Sequence, residues 1–348
     1  MKKYIVGPKM KEKGLFAGNK FPRDILKICE VMGYKPIFVR EIYSKKKPWQ
    51  IVEDYFHLLQ IKPNSIVIYI DQVASRFSRK LVYKVLHRKN VKIVPLLEDI
   101  DIIRNNSLSE ERQTNILNSL NKSDIIISQN KKMSNYLKEK GINTKTVELN
   151  LLDFLTNRFE NNHHFPLNTW TVCYGGNLSA LQSGFLHKIE LKPSDNVKYF
   201  IYGKGEMSNK LSSLIFYKGV FSAQECIGKL KGEWGLVWNG QSTDVNYQDS
   251  FSVYYNYVCP HKLSMYILCG MPVIVSSKSA VADFVRKNKC GIIIDSIDEI
   301  PYKLKNISNE NYYVYQENAF KLAPKISSGF YTKTALKKVE KILSEKYL

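Results

Sequence analysis

The chain has 348 residues and a formal net charge of +20, with 44% hydrophobic and 24% charged residues. That length suits two domains of roughly 150 residues each, and this hydrophobic content excludes a disordered chain, which pairs high net charge with low hydrophobicity. With 18 Gly, 12 Pro and 6 Cys, collagen-like and disulfide-scaffold proteins are excluded as well.

The most apolar stretch, 265–275, is cut by Gly270 and Pro272, well short of the ~20 residues of a membrane span. The start, MKKYIVGPKMKEK, has a basic lead and a short apolar core, Tyr4, Ile5 and Val6. A secretory leader needs an apolar region of roughly 7–15 residues, so a cytoplasmic protein is expected. The cysteines (29, 173, 226, 259, 269, 290) are scattered without CxxC spacing and read as reduced, mostly buried thiols. The positive charge invites a nucleic-acid partner, but nine of the 52 basic residues are Arg and the lysines are spread along the whole chain. Arg is the residue suited to bidentate recognition of phosphate and base edges, so nucleic acid is not the expected partner.

In chain order, strands are expected at 3–7, 35–42, 65–70, 91–97 and 124–128, with helices near 20–33, 48–60, 76–89, 109–121 and 131–140. Continuous apolar runs such as IVIYI and DIIIS fit strands buried on both faces of a parallel sheet. The stretch 157–169, NRFENNHHFPLNT, reads as a linker. The pattern then restarts, with strands at 171–174, 197–202, 235–238, 272–275 and 291–295 and helices near 178–188, 222–231, 260–269, 279–289 and 297–305. Ser222 and Glu225 have capping-box spacing, and the last forty residues read as helical. The expected division is 1–156, a linker at 157–169, a second domain at 170–325 and a C-terminal helix at 326–348 packing back on the first domain. Two successive βαβ domains imply two parallel sheets facing across a cleft, with ligands beyond the carboxyl ends of the strands.

The segment NYVCPHKLSMYILCGMPVIV, 256–275, carries the strongest chemical signal. Pro260 opens a helix, and His261 and Lys262 then fall in its first turn, the wrong end for cations unless an anion binds there. Lys262, free backbone N–H groups and the helix dipole together make a phosphate or diphosphate site. Ser279 and Ala280 open the following helix and leave its N–H groups open to a close ligand. Gly175 and Gly176 let backbone approach a ligand, and Asn177 can hydrogen-bond to it. YGGNLS is not GxGxxG and lacks a clear ribose-binding carboxylate, which argues against NAD. After another strand, Trp238 with Asn239, Gln241, Ser242 and Thr243 suits a sugar ring. Gly14–Lys20 is placed to close over a donor. PLLEDID ends a buried strand with Glu98, Asp99 and Asp101, any of which can serve as general base unless it is tied up in a helix cap or an ion pair with Arg104. No DxD or clustered His/Cys marks the donor segments, so no metal is expected there.

PLLEDID, YGGNLS, GLVWNG, NYVCPHKLSMYILCGMPVIV and SAVADFV…GIIIDSIDEI, in that order, resemble a bacterial GT-B glycosyltransferase family. It includes accessory-secretion glucosyltransferases that extend O-linked N-acetylglucosamine on serine-rich repeat adhesins, and β-1,6-galactofuranosyltransferases of polysaccharide synthesis. The resemblance implies an α/β, GT-B architecture of two Rossmann-like domains, a UDP-sugar as donor substrate with no cofactor or metal, and inverting transfer of a hexose, glucose or N-acetylglucosamine, to an O-GlcNAc-modified serine-rich repeat protein. A galactofuranosyltransferase and a non-catalytic nucleotide-sugar-binding subunit are the alternatives. It also implies a homo-oligomer, with a tetramer as one form. Carried over by residue, it places His261 and Lys262 at the diphosphate with Asn256 close by, adds Asn177, Ser279 and Ala280, and more loosely Gly18 and Asn19. Where relatives often have His-Asp after the buried strand, this chain has Glu98-Asp99. Of the three carboxylates, Asp99 is the expected base, with Glu98 and Asp101 as alternatives.

Overall fold

Strands at the centre of a parallel sheet are covered on both faces and must be apolar throughout; IVIYID, 66–71, is buried at every position. In the computed structural model, which describes residues 1–8, 20–40, 44, 46–71, 76–105, 108–160, 166, 168–205, 211–246 and 248–345, such runs build two sheets. The first contains β1 (Lys3–Pro8), β2 (Lys35–Val39), β3 (Ile66–Asp71), β4 (Lys92–Leu97), β5 (Ile126–Ser128) and β6 (Thr146–Glu148), in the order β2-β1-β3-β4-β5-β6. All of its pairings are parallel, with β1 in register Tyr4 to Lys35 on one side and Tyr4 to Val67 on the other. The second contains β7 (Trp170–Gly175), β8 (Val197–Tyr202), β9 (Ile215–Tyr217), β10 (Trp234–Val237), β11 (Val273–Ser276) and β12 (Gly291–Ile294), ordered β12-β11-β10-β7-β8-β9 and again parallel. Strand order reverses between β1 and β3 in the first sheet and between β7 and β10 in the second. These are the switch points where open α/β sheets bind ligands.

The chain divides into two units. One comprises residues 1–8, 20–150 and 331–345 of the described chain, the other 151–330. The boundary falls ahead of the polar 157–169 stretch because 151–154 are packed into the second unit. Leu151 and Leu152 are buried, the Phe154 N–H donates to the Ile326 carbonyl, and Ser264 Oγ donates to the Leu152 carbonyl. The closing helix, Phe330–Glu345, belongs from Tyr331 onward to the first unit. There the Glu340 carboxylate accepts from Lys3 Nζ at 2.9 Å and Tyr34 Oη at 2.7 Å.

In the first unit, helices Trp49–Leu59 and Arg76–Arg88 cover one sheet face. Leu58, Val82, Tyr83, Val85 and Leu86 pack there on Tyr4, Val6, Ile37, Val39, Val67 and Tyr69. The core of the second unit centres on Trp170, Trp234, Trp238, Tyr199 and Tyr312. Gly235 in β10 is required by close packing: a Cβ there would lie 2.2 Å from the Tyr266 ring. This glycine lets helix His261–Leu268 lie against the sheet, where the Gly175 N–H donates to the Tyr266 hydroxyl at 2.7 Å.

Several elements differ from expectation. The edge strands β6 and β9 are three residues each and carry too little pattern to be read. The helix expected at 178–188 is a short turn, Ala180–Ser183, continued as the 3-10 stretch Gly184–Lys188. Ser222 and Glu225 do exchange capping-box bonds, but the helix after them shrinks to Cys226–Lys229, broken where Gly228 takes φ 92°. All six cysteines are free thiols.

Candidate functional site

The site is built on the second unit, at the carboxyl ends of β7, β10 and β11. Helix His261–Leu268 begins after Pro260, whose extended backbone (φ −72°, ψ 137°) provides no side-chain cap. Lys262 stands in its first turn. Its ammonium donates to the Tyr174 hydroxyl at 2.9 Å and the Trp238 carbonyl at 3.1 Å. It also lies 4.1 Å from the centroid of the Tyr174 ring and 5.7 Å from that of Tyr255. Among the described residues no carboxylate pairs with it. Lys262 is half-buried as a residue, and desolvation of its ammonium pulls its pKa from 10.5 to about 7. A cation held without a counter-charge at a helix N-terminus is an anion site in waiting.

Tyr174 links Lys262 to the YGGN turn. Its hydroxyl bonds Ser183 Oγ at 2.7 Å, which donates to the Asn177 carbonyl. Gly176 abuts the lysine directly, since a Cβ there would sit 2.8 Å from Lys262 Cε and 3.0 Å from Nζ. Beside this group a small cleft is lined by Trp238, Asn239, Ser252, Tyr255, Ser276 and Ser279. Asn239 is buried, donating from Nδ2 to the Phe251 carbonyl at 3.3 Å and accepting Ser252 Oγ at its own carbonyl at 3.0 Å. Of the expected donor residues, Gly176, Asn239, Lys262 and Ser279 are therefore brought together.

Others are placed differently. The Asn177 side chain accepts from the Ser179 N–H at 2.9 Å, closing a local turn. Trp238 borders the cleft, but it is only 2% exposed and part of the core, and its indole N–H donates to the Ser242 carbonyl at 2.8 Å. Gln241 is exposed on that loop, and Ser242 Oγ accepts from the Asp244 N–H. Ser279 and Ala280 precede the next helix, Ala282–Asn288, rather than opening it. Their N–H groups are already used, Ser279 to the Ser276 carbonyl and Ala280 to the Tyr255 carbonyl at 3.1 Å. Asn256 and His261 are half-buried. Gly18 and Asn19 lie outside the described residues, as does most of 14–20. Tyr174, Tyr255 and Ser252, which the sequence does not single out, also stand in this group.

The acidic group stands on the first unit, after β4. Asp99 Oδ2 accepts from Arg104 Nη1 at 2.7 Å. Asp101 is buried and accepts from Arg112 Nη2 at 2.8 Å. Arg104, a candidate partner for Asp101 by helical spacing, thus holds Asp99 instead. The Glu98 backbone is fixed from both sides: its N–H donates to the Asp71 carbonyl, and its carbonyl accepts from Gln129 Nε2. Beside them lies a pair the sequence did not announce. Arg79 Nη2 meets Asp71 Oδ1 at 2.7 Å with both groups buried, and desolvation raises the Asp71 pKa against the pull of Arg79. Among the described residues no cluster of His, Cys, Asp and Glu is arranged to hold a metal ion, and no helix is long and apolar enough to cross a membrane.

Two six-stranded parallel sheets, each with flanking helices, are the architecture of the GT-B class of glycosyltransferases. A solved structure of the same fold is Anabaena Alr3699/HepE in complex with UDP, with a TM-score of 0.62 and 12% identity over 98% of this chain and 100% of that one. Family models described as Glucosyltransferase 3-like match on both halves, the N-terminal domain at residues 2–151 and the C-terminal domain at 172–339. The chain belongs to this glucosyltransferase 3-like family. Among curated relatives, the β-1,6-galactofuranosyltransferase WbbI of Escherichia coli K12 is 28% identical over 250 residues, 71% of each chain. Glucosyltransferase 3 of Streptococcus parasanguinis is 24% identical over 271 residues, 75% of this chain and 74% of that one.

Proposed function

We propose that this glycosyltransferase moves a hexose, glucose or N-acetylglucosamine, from a UDP-sugar to an O-GlcNAc-modified serine-rich repeat protein in the cytoplasm. The observation that carries the donor assignment is Lys262, an enclosed ammonium with no carboxylate partner among the described residues, at the first turn of its helix. A diphosphate supplies the missing counter-charge, and the ammonium and helix dipole stabilise it as leaving group with no divalent metal. Gly176 allows the phosphates to approach the backbone, and Asn239 and Ser279 border the cleft beside it. Transfer is inverting, and the acceptor proton goes to a carboxylate of the first unit. Asp99 is the proposed base, with Glu98 and Asp101 as alternatives; to act, Asp99 has to exchange its ion pair with Arg104, 2.7 Å away, for the acceptor hydroxyl. Asp101 is the weakest of the three, being buried against Arg112. The streptococcal relative, a glucosyltransferase by name, supports glucose as the transferred sugar, and the six free thiols fit a reducing compartment. A homo-oligomer is the proposed working form.

Galactofuranosyl transfer is the second reading, favoured by the 28% identity to WbbI. Incubating the chain separately with UDP-glucose, UDP-N-acetylglucosamine and UDP-galactofuranose, each with a GlcNAc-bearing serine-rich peptide or a free glycoside acceptor, separates the two by product mass. A peptide that gains one glucose or N-acetylglucosamine supports the first reading. Product formed solely from UDP-galactofuranose supports the second. UDP binding without turnover on any acceptor reduces the protein to a nucleotide-sugar-binding subunit.

A further inference from the structure

Helix Trp49–Leu59 is amphipathic with its sides reversed. Its inward positions are Leu58, fully buried, and Asp54, buried against Arg40. Trp49, Ile51, Val52, Tyr55, Phe56 and Leu59 are exposed, with Trp49 at 58%, Val52 at 54% and Phe56 at 60%. At 100° per residue these six fall on one continuous outward arc. Single exposed apolar side chains are ordinary, but a contiguous aromatic and aliphatic face on one surface helix marks an interaction site.

The charge beside this face is of one sign. Helix Arg76–Arg88 covers the same side of the first sheet and carries Lys80, Lys84 and Arg88 at i, i+4, i+8, all exposed. Among the described residues none of the three is in an ion pair. Lys46 and Lys47 are exposed just before the apolar helix, and Lys89 Nζ donates to the Leu59 carbonyl at its end. The two carboxylates of the apolar helix, Glu53 and Asp54, are both held by Arg40, at 2.6 and 2.5 Å. What remains outward is an apolar strip bordered by lysines.

We infer that this face docks the enzyme reversibly on an anionic phospholipid bilayer. An interfacial helix lies in the plane of the membrane with its apolar face ~5–10 Å into the headgroup boundary, and binding adds apolar burial to attraction between cations and acidic lipids. The exposed Trp and Tyr suit that boundary. A second copy is a poorer occupant, because pairing this face with itself brings two basic stripes of a chain charged +20 side by side. Membrane docking is separable from donor choice: it depends on the first unit alone and leaves Lys262 untouched.

The test is co-sedimentation of the full chain with vesicles of phosphatidylcholine alone and of phosphatidylcholine mixed with phosphatidylglycerol. Binding is expected to the mixed vesicles and not to the neutral ones, and it should weaken as salt is raised. Trp170, Trp234 and Trp238 are buried at 7%, 0% and 2%, so a blue shift of tryptophan emission on binding reports Trp49 and should vanish in Trp49→Phe. Phe56→Glu should weaken vesicle binding by about tenfold or more. The triple variant Lys80→Glu, Lys84→Glu, Arg88→Glu should abolish the preference for anionic vesicles. All these positions are exposed, so thermal melts should match the parent, and transfer to a soluble acceptor should be unchanged. The inference is overturned if the chain ignores the mixed vesicles, if it binds neutral and anionic vesicles alike, or if binding survives both Phe56→Glu and the triple variant. It is also overturned if Phe56→Glu splits an oligomer in light scattering while the parent binds no vesicles, which would make the face a subunit contact.

Discussion

Lys262→Met separates stability from ligand binding, because the native protein holds an ammonium that its surroundings disfavour. Moving the Lys262 pKa from 10.5 to about 7 corresponds to on the order of 5 kcal/mol against the charged form at low pH. Lys262 is half-buried, so screening by solvent removes about half of that. The bonds to the Tyr174 hydroxyl and the Trp238 carbonyl, at about 1 kcal/mol each, offset most of the remainder. The variant without ligand should therefore be as stable as the parent, or more stable by up to about 1 kcal/mol. The gain is greatest at and below pH 7, where the native lysine is charged in both folded and unfolded states. It fades as pH rises from about 7 toward 10.5, because the folded lysine is then neutral while the unfolded one stays charged. UDP binding moves the other way. A charge-assisted contact worth roughly 1.5–3 kcal/mol is lost, raising Kd by about ten- to a hundredfold. In the parent, UDP affinity should fall as pH rises above about 7, because binding must then recharge the lysine; in the variant it should be flat. Calorimetry from about pH 6 to about pH 9, in two buffers of different ionisation enthalpy, reads the affinity and the proton taken up. A variant that binds UDP as tightly as the parent, or a parent whose affinity ignores pH, refutes the reasoning.

Gly176→Ala places a Cβ 2.8 Å from Lys262 Cε, and since the far end of a lysine side chain can yield, the protein should fold normally while UDP affinity drops; calorimetry beside a thermal melt distinguishes this from simple unfolding. Asp99→Asn keeps the shape of the carboxylate and removes its basicity, so turnover should fall by ~10²–10⁴ with UDP binding nearly unchanged. A variant that keeps more than about a tenth of parental turnover, while Glu98→Gln abolishes it, moves the role of base to Glu98. Activity should survive EDTA, because Lys262 and the helix N-terminus are assigned the leaving-group charge; loss of activity restored by Mn²⁺ or Mg²⁺ would assign that charge to a metal instead.

What was legible in the sequence follows from where each residue sits. β3 could be read as IVIYI because a central parallel strand is apolar on both faces, while β6 and β9 lie at sheet edges, where three residues satisfy few ladder bonds and need little pattern. Lys262 was legible because a proline followed by two basic residues puts cations at the unfavourable end of a helix. Trp238 was misjudged: the residue after a strand can turn either way, and here it turns into the core, where its N–H finds the Ser242 carbonyl. Ser279 and Ala280 were misplaced by three residues of helix boundary, enough to turn free N–H donors into occupied ones. Arg104 is within local reach of all three carboxylates in sequence; the fold gives it Asp99 and gives Asp101 to Arg112 from the next helix, a pairing that sequence spacing does not show. The Asp71–Arg79 pair likewise needs two elements in place before either residue has a partner.

The Phe330–Glu345 helix has a consequence for how the chain is made. The first unit is assembled from segments on both sides of residues 151–330, with Lys3 and Tyr34 meeting Glu340. During synthesis its six-stranded sheet emerges early, but the helix that completes it follows only after residues 151–330 have been translated. At ~5–20 residues per second that interval is on the order of 10–40 s. The second unit, contiguous among the described residues, can finish first, and the nascent first unit waits with the apolar seat of Leu336, Val339 and Leu343 uncovered. A ribosome-stalled or prematurely terminated chain would therefore expose its amino-terminal half to chaperones and proteases even with every residue of that half already present.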